Sequence, residues 1–431
     1  ASAAQLDRRS ESTADESLAS LLQAFPPCPR GRVRVGACDR MSVIRSPEPL
    51  RRTVLLYIDS LKTGGAERIT LAWAGWLRDA GFPVVLLTRH GSRRDFYPLP
   101  AGLDRYREPH DPAWLRHLGW FGFPVRLLRL RQLLRQLQPG LVIGITTLPA
   151  IKLLLASVLA PWSVVVSERN YPPAKPPARP WRWMRRLTYP WAHLHLVQTQ
   201  RTADWLVVHQ AVSSLRCLTL PNPVLWPLQE FEPVVKPGHC LPPGARMLLA
   251  VGTKPHQKGF DRLISAFLRL ASDHPDWHLV ILGLDTTAGG HQQAVADLLA
   301  RRQADPLLRQ RLHCPGPVGN VADWYAAAEV FVLSSRYEGF PNVLLEAMAS
   351  GCACLACACP TGPDEIIRHG HDGWLLPADV DAEQLALGLR ALIEDPSLRL
   401  HLGQNARAVT ARFAEPLVRR RFLEAIERLL C

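Results

Sequence analysis

Six features that would place a chain quickly are missing here. No run of about twenty apolar residues exists, the length a membrane-spanning helix needs. The most apolar region, 141–166, is interrupted by Pro149, Lys152 and Pro161, so no spanning helix is expected. Residues 1–50 are polar, with scattered Ser and Arg and no apolar stretch of secretory-leader type. Residues 1–51 are therefore read as a disordered extension or a misplaced translation start, with Met41 as the alternative start. The ten cysteines show no disulfide-framework spacing, which suits a reducing cytosol. No Asp-x-Asp metal motif follows a strand. Asp379-Val380-Asp381 precedes a helix, where a capping role is expected. No nucleic-acid module and no short-period repeat is visible. Acidic residues are scarce in one segment: 101–200 holds fourteen Lys or Arg against four Asp or Glu, which accounts for ten of the +13 net charge. That asymmetry points to an anionic partner.

What is present is enough for sizeable cores. The 431 residues are 47% hydrophobic and 21% charged, which suggests two or three domains. Buried parallel strands are expected at 53–58, 83–88, 141–146, 163–166 and 194–198, with helices at 68–80, 114–137, 150–159 and 202–209 between them. The density of Pro in 221–246 reads as a linker. The rhythm restarts with strands at 247–252, 278–283 and near Leu312, a helix at 321–327 and a strand at 328–333. Helices close the chain at 382–393, 396–412 and 416–430. This reading gives an α/β protein with two Rossmann-like, doubly wound parallel-sheet domains facing a central cleft. The boundaries are 52–222 for the first domain, 223–245 for the linker and 246–412 for the second. A final helix, 413–431, can cross back to the first. Four crowded cysteines, Cys352, Cys354, Cys357 and Cys359, read as a buried strand of small residues rather than a metal site.

The most informative stretch is Ser334 to Ala349. An apolar strand leads into Glu338-Gly339-Phe340-Pro341-Asn342, and a helix from Val343 ends at Gly351. A loop at the carboxyl end of a strand, running into a helix N-terminus, can receive an anion. Glu346 follows Glu338 by eight residues, so two carboxylates can serve one ligand. This order resembles the Glu-x7-Glu signature of the retaining glycosyltransferases of family four, which have the GT-B fold. Val251 to Asp261 resembles the same family's Gly-Arg-x4-Lys-Gly-x-Asp motif. Lys258 matches its lysine, while Thr253 stands where the family has arginine, so a two-pronged phosphate contact is lost. Lys254 or His256 can supply the missing charge, or Thr253 can itself bind the donor by a hydrogen bond to a phosphate oxygen. Gly64-Gly65-Ala66-Glu67 is similar to the family's N-terminal loop over the donor diphosphate or the acceptor, with Gly65 at the closest approach. Leu312–Asp323 is similar to the loop along the nucleoside base, and Thr361–Ile367 to a loop near the donor sugar. Ser167-Glu168-Arg169-Asn170 resembles a motif of bacterial polysaccharide enzymes in the family, which makes Arg169 a candidate. Thr146-Thr147 occupies the place of a histidine common in the family, so no residue is assigned there.

The resemblance implies a retaining hexosyl- or N-acetylhexosaminyl-transferase acting without a cofactor or metal. A sugar would pass from a nucleotide-diphosphate sugar to a lipid-linked or glycan acceptor in lipopolysaccharide or polysaccharide biosynthesis. In that reading Glu346 holds the ribose hydroxyls and Glu338 the donor sugar. Gly339, Phe340, Pro341 and Asn342 position sugar and phosphates through backbone groups. Lys258 stabilises the departing diphosphate. Trp114–Arg135 and Trp181–Trp191 interleave Arg with Trp and Phe, as a membrane interface does. That suggests a cytoplasmic protein peripheral to the inner face of the membrane, with an anionic surface as partner and no nucleic acid. Amphipathic helices packed on their own sheet account for the same pattern. Alternative readings are a non-catalytic nucleotide-sugar-binding subunit, favoured by Thr253, and a GT-B epimerase.

Overall fold

The computed structural model describes residues 53–430 apart from 63, 93–94 and 286–291. The expectations for residues 1–51 lie outside the described residues. The chain forms two compact units. One comprises the chain up to Arg169, Pro176–Leu220 and the residues from Arg419 onward; the other comprises Asn170–Lys175 and Pro221–Val418.

The first unit is built on strands β1 (Val54–Ile58), β2 (Val84–Thr88), β3 (Asp104–Arg107), β4 (Leu141–Ile145), β5 (Ser163–Ser167), β6 (Leu194–Val197) and β7 (Cys217–Thr219). They lie in the order β3-β2-β1-β4-β5-β6-β7, and every pairing is parallel. The central strands are wholly apolar because both faces are covered. Leu55 and Tyr57 pack with Leu130, Leu134 and Ile151. Val54, Leu56 and Ile58 alternate to the other face. The end of the last helix, Glu415–Leu430, belongs to this unit, where Phe422 stacks on Trp73 at 4.6 Å and Arg419 pairs with Asp79 at 3.1 Å.

Two strands of this unit escaped the sequence pattern. β3 reads Asp-Arg-Tyr-Arg and is largely exposed, and β7 has three residues. Both are edge strands, which need only one neighbour and carry little apolar signal. The single helix expected over 114–137 is two, Ala113–His117 and Phe123–Leu137. Gly119, at φ +50°, turns the chain between them, and Pro124 sits in the first turn of the second helix.

The second unit has strands β8 (Arg246–Val251), β9 (Trp277–Leu282), β10 (Leu312–Gly316), β11 (Val330–Leu333), β12 (Ala353–Cys357) and β13 (Trp374–Leu376). Their order is β10-β9-β8-β11-β12-β13, again all parallel. β8 shows the doubly wound logic within one strand. Leu248 and Ala250 enter one core with Phe260, Leu263 and Phe267. Met247 and Leu249 enter the opposite core with Leu344, Leu345 and Met348. The clustered cysteines form β12 and its flanks and are buried. Burial pushes the Cys352 thiol up to about 12, as for a small side chain shut away from water. Asp381 caps the helix Ala382–Glu394 through a capping box with Gln384.

The Pro-rich segment is not a loose tether. It belongs to the second unit, and Val224 is buried in that unit's core. Asn320 binds it like a strand neighbour: its side-chain oxygen accepts from the Val235 N–H at 3.0 Å, and its amide donates to the Val235 carbonyl at 3.0 Å.

His195 on β6 provides a test of the first unit's acid stability. It is 1% exposed, with its Nε2 3.0 Å from the Tyr189 carbonyl. Burial pulls its pKa from 6.5 down to about 4. The unfolded chain therefore takes up a proton that the folded chain refuses. The contribution is fully present above about pH 6.5 and is lost as the pH falls towards 4. Between pH 7 and pH 5 this is roughly 2 kcal/mol. Denaturant titrations at both values should show that loss in the native chain and a smaller one in His195→Gln. Equal losses in the two proteins would overturn the assignment.

Candidate functional site

The carboxyl ends of β8 and β11, neighbours in the sheet, carry most of the candidate residues. β8 runs into Gly252 and a four-residue turn, Pro255–Lys258. Gly259 then adopts φ +65° and starts the helix Phe260–Ala271. A Cβ there would lie 2.1 Å from the Ser334 carbonyl oxygen, so only glycine lets the two strand ends approach this closely. A Cβ on Gly252 would lie 2.6 Å from Cγ of Lys258, which shows the lysine stem running back over the glycine.

From β11 the loop Ser334–Pro341 leads into the helix Asn342–Ser350, whose N-terminus receives no side-chain cap. The two loops are joined at many points. The Ser334 hydroxyl donates to the Lys258 carbonyl at 2.8 Å. The Gln257 amide donates to the Tyr337 carbonyl at 3.2 Å, and the Arg336 backbone N–H donates to the Gln257 carbonyl at 2.8 Å. The Arg336 guanidinium grips both Asp261 oxygens, at 2.7 and 2.6 Å. That contact holds the Asp261 carboxyl below its usual pKa. Arg262 donates to four carbonyls, those of Ser334, Ser335, Ala378 and Val380, at 2.8 to 3.2 Å.

These contacts place Lys258 and Glu338 against one another. The ammonium donates to Oε1 of Glu338 at 2.7 Å, with side chains only 14% and 8% exposed. The Ser335 hydroxyl donates to the same oxygen at 2.6 Å. The Thr361 hydroxyl donates to the Glu338 carbonyl at 2.6 Å, which brings the 361–367 loop alongside. Gly362, at φ +97°, would put a Cβ 2.6 Å from Pro341. Asn222 donates to the Phe340 carbonyl at 3.1 Å and also bonds the Asn342 side chain. Glu346, 7% exposed, accepts from the Tyr325 hydroxyl at 3.1 Å. Thr253 and Lys254 are half-buried after β8, and His256 is exposed.

The structure thus brings Lys258 and Glu338 together, with Gly339 to Asn342 following directly. Glu346 lies on the helix that this loop opens. Sequence reasoning missed Arg262, Ser335, Asn222 and Tyr325. Each works through a partner distant in the chain or through a fold-dependent contact, and an isolated Arg or Ser carries no pattern.

The first unit presents a separate group of candidates. Gly64 precedes the helix Gly65–Asp79, with extended backbone at φ 174°, and the Glu67 carboxylate folds over it. Gly65 is exposed. Arg169 is buried with its guanidinium 5.2 Å from the Trp73 ring, and burial pulls its pKa down to about 9. Glu168 accepts from Thr147 at 3.0 Å and from the Tyr189 hydroxyl. Thr146, after β4, holds φ +72°, a strained state for a β-branched residue. Strain of that kind concentrates where a binding surface is shaped.

Among the described residues no group of three His, Cys, Asp or Glu is placed to hold a metal ion. No described helix is long and apolar enough to cross a membrane.

Two doubly wound parallel sheets, one carrying a paired lysine and glutamate at neighbouring strand ends, define a class of α/β protein whose ligand sites lie at the carboxyl edge of the sheet. The comparisons with known proteins narrow that class. Residues 64–223 match the glycosyl transferase 4-like domain, and residues 235–409 match glycosyl transferases group 1; the chain belongs to this glycosyltransferase family. It is 29% identical over 295 residues to an exopolysaccharide phosphotransferase of Streptomyces coelicolor, covering 66% of this chain and 28% of that protein. It is 26% identical over 352 residues to the N-acetylgalactosamine-N,N'-diacetylbacillosaminyl-diphospho-undecaprenol 4-alpha-N-acetylgalactosaminyltransferase of Campylobacter jejuni, covering 80% and 91%. In fold it resembles HepE of Anabaena in complex with UDP-glucose. That match has a TM-score of 0.71 at 18% identity and covers 87% of this chain and 99% of that one. The fold is GT-B.

Proposed function

We propose that this glycosyltransferase moves a hexosyl or N-acetylhexosaminyl group, with retention and without a metal, from a nucleotide-diphosphate sugar. The acceptor in this reading is a hydroxyl of a lipid-linked or polysaccharide molecule in cell-surface glycan biosynthesis, at the cytoplasmic face of the membrane. The observation that carries the proposal is the Lys258–Glu338 pair at 2.7 Å, at the junction of two strand ends. The undecaprenol-linked acceptor in the name of the Campylobacter relative and the UDP-glucose bound to HepE support the acceptor and donor classes.

In this reading the diphosphate lies between Lys258 and the N-terminus of the helix Asn342–Ser350. An ammonium and oriented N–H groups there oppose the charge that grows as the sugar leaves. Glu338 then exchanges part of its bond with Lys258 for the sugar hydroxyls. Glu346, already an acceptor for Tyr325, accepts from the ribose hydroxyls. The leaving phosphate oxygen takes the acceptor proton on the face it departs from. This allows retention without an enzyme nucleophile.

The test is a screen of uridine, guanosine and adenosine diphosphate sugars against the full chain, reading both melting temperature and nucleotide release. One donor should raise the melting temperature and release nucleotide. Glu346→Gln should raise its KM about tenfold to a hundredfold, with a smaller change in kcat. No shift and no release with any donor would end the proposal. A second reading, a binding subunit without catalysis, is favoured by Thr253 in place of arginine. It requires a melting shift with no nucleotide release.

A further inference from the structure

One surface of the first unit has no part in the site described above. The helices Ala113–His117 and Phe123–Leu137 are joined by a turn that Arg126 holds in place. Its guanidinium donates to the Gly119 and Leu115 carbonyls at 2.6 and 2.8 Å and pairs with Asp111 at 2.7 Å. At the tip of this braced turn Phe121 is 88% exposed, with Trp114 58% and Trp120 49% exposed beside it. Trp120 stacks on Phe123 at 5.2 Å and meets Trp181 edge-on at 5.3 Å. Through Trp181 the turn therefore packs against the helix Arg179–Thr188.

That helix carries apolar side chains on both sides. Trp181, Met184 and Arg185 face the unit's own core, with the Arg185 guanidinium over Trp205 at 4.8 Å. The outward side carries Trp183, 67% exposed, and Leu187, 46% exposed, among exposed Arg179, Arg182 and Arg186. A merely solvated face would carry charge without tryptophan and leucine. The charge is also of one sign. Of the four acidic residues in 101–200, Glu108 is held by Lys152, Asp111 by Arg126, and Glu168 is buried; only Asp104, on the edge strand β3, is exposed.

Rigidly presented aromatics ringed by arginines match the chemistry of a bilayer surface. Indole and phenyl rings settle at the headgroup level, and guanidinium groups meet lipid phosphate. We infer that the 114–123 turn and the outward side of the helix Arg179–Thr188 together dock this protein on an anionic lipid bilayer. This deepens the reading of a membrane-linked acceptor, and the two fail separately. Docking is measured without a donor, and nucleotide release is measured without vesicles.

The full chain is mixed with vesicles of phosphatidylcholine alone, or of phosphatidylcholine with an equal part of phosphatidylglycerol, and floated at low and high salt. Binding is expected to the mixed vesicles, stronger at low salt. Phe121→Ser with Trp183→Ser, and Arg182→Glu with Arg186→Glu, should each cut the bound fraction's partition coefficient by about tenfold or more. Both variants should keep the melting temperature and the nucleotide release of the native chain. No binding to mixed vesicles at low salt overturns the inference, as does equal binding to neutral ones or undiminished binding by both variants. Light scattering provides a further check. A concentration-dependent dimer abolished by the Phe121 and Trp183 changes would assign the face to a second copy of the chain and overturn the inference.

Discussion

Lys258→Ala is expected to lower kcat for sugar transfer by about 10²- to 10³-fold, the loss seen when one preorganised charge-stabilising donor is removed from a developing anion. The lysine is held ready. Its stem lies over Gly252, and its ammonium is 2.7 Å from Glu338. In the proposed reading a donor diphosphate would meet a cation that is only 14% exposed and needs little reorganisation. Glu338→Gln should lose activity on a comparable scale, by a different route: the ammonium stays but is no longer oriented by a carboxylate. Because the two act as a unit, the double variant should lose far less than the product of the single losses. The measurement is single-turnover transfer or nucleotide release, with melting temperatures recorded for each variant. If Lys258→Ala stays within about threefold of the native rate in a folded protein, leaving-group stabilisation lies elsewhere.

Gly259→Ala is expected to be among the most damaging single-methyl changes in the chain. The residue holds φ +65°, and its Cβ would sit 2.1 Å from the Ser334 carbonyl oxygen. That contact is backbone against backbone, so no side chain can swing away. The left-handed conformation costs alanine roughly 1–2 kcal/mol, and the overlap adds about 1–3 kcal/mol. Gly370 supplies the control: it also has positive φ, at +73°, but open space around its missing Cβ, so Gly370→Ala should show the conformational cost alone. Denaturant unfolding of both variants separates the terms. Nucleotide release should fall further in Gly259→Ala than its stability loss explains, because Lys258 is the adjacent residue. Equal destabilisation in the two variants would show that the strand ends are not pressed together as described.

The parts of the site that could be read in advance are those written in contiguous residues. Glu338 to Asn342 and Glu346 announce themselves through a buried strand, a loop and a helix stop at Gly351. Lys258-Gly259 does so through a strand followed by a helix opening. The parts that could not be read depend on partners far away in the chain. Arg262 looks like a surface arginine on an amphipathic helix until four carbonyls from two other loops are found around it. Asn320 sits in a loop expected to run along a base, yet its side chain secures Val235. Trp114 to Leu137 has the period of one long helix, and the turn at Gly119 depends on Arg126 reaching back across it.

By itself the sequence determined two parallel-sheet domains, their core strands and the identity of the acid-and-lysine motifs. Strand burial and local turn chemistry act over a few residues, and composition records them. Only the tertiary structure decided that Lys258 and Glu338, eighty positions apart, share one hydrogen bond, and that Glu346 meets Tyr325. It also decided which aromatics beside the arginines stay uncovered. Those outcomes follow from the order in which strands pair within a sheet, which sets the neighbours of a strand end without marking either residue in the chain.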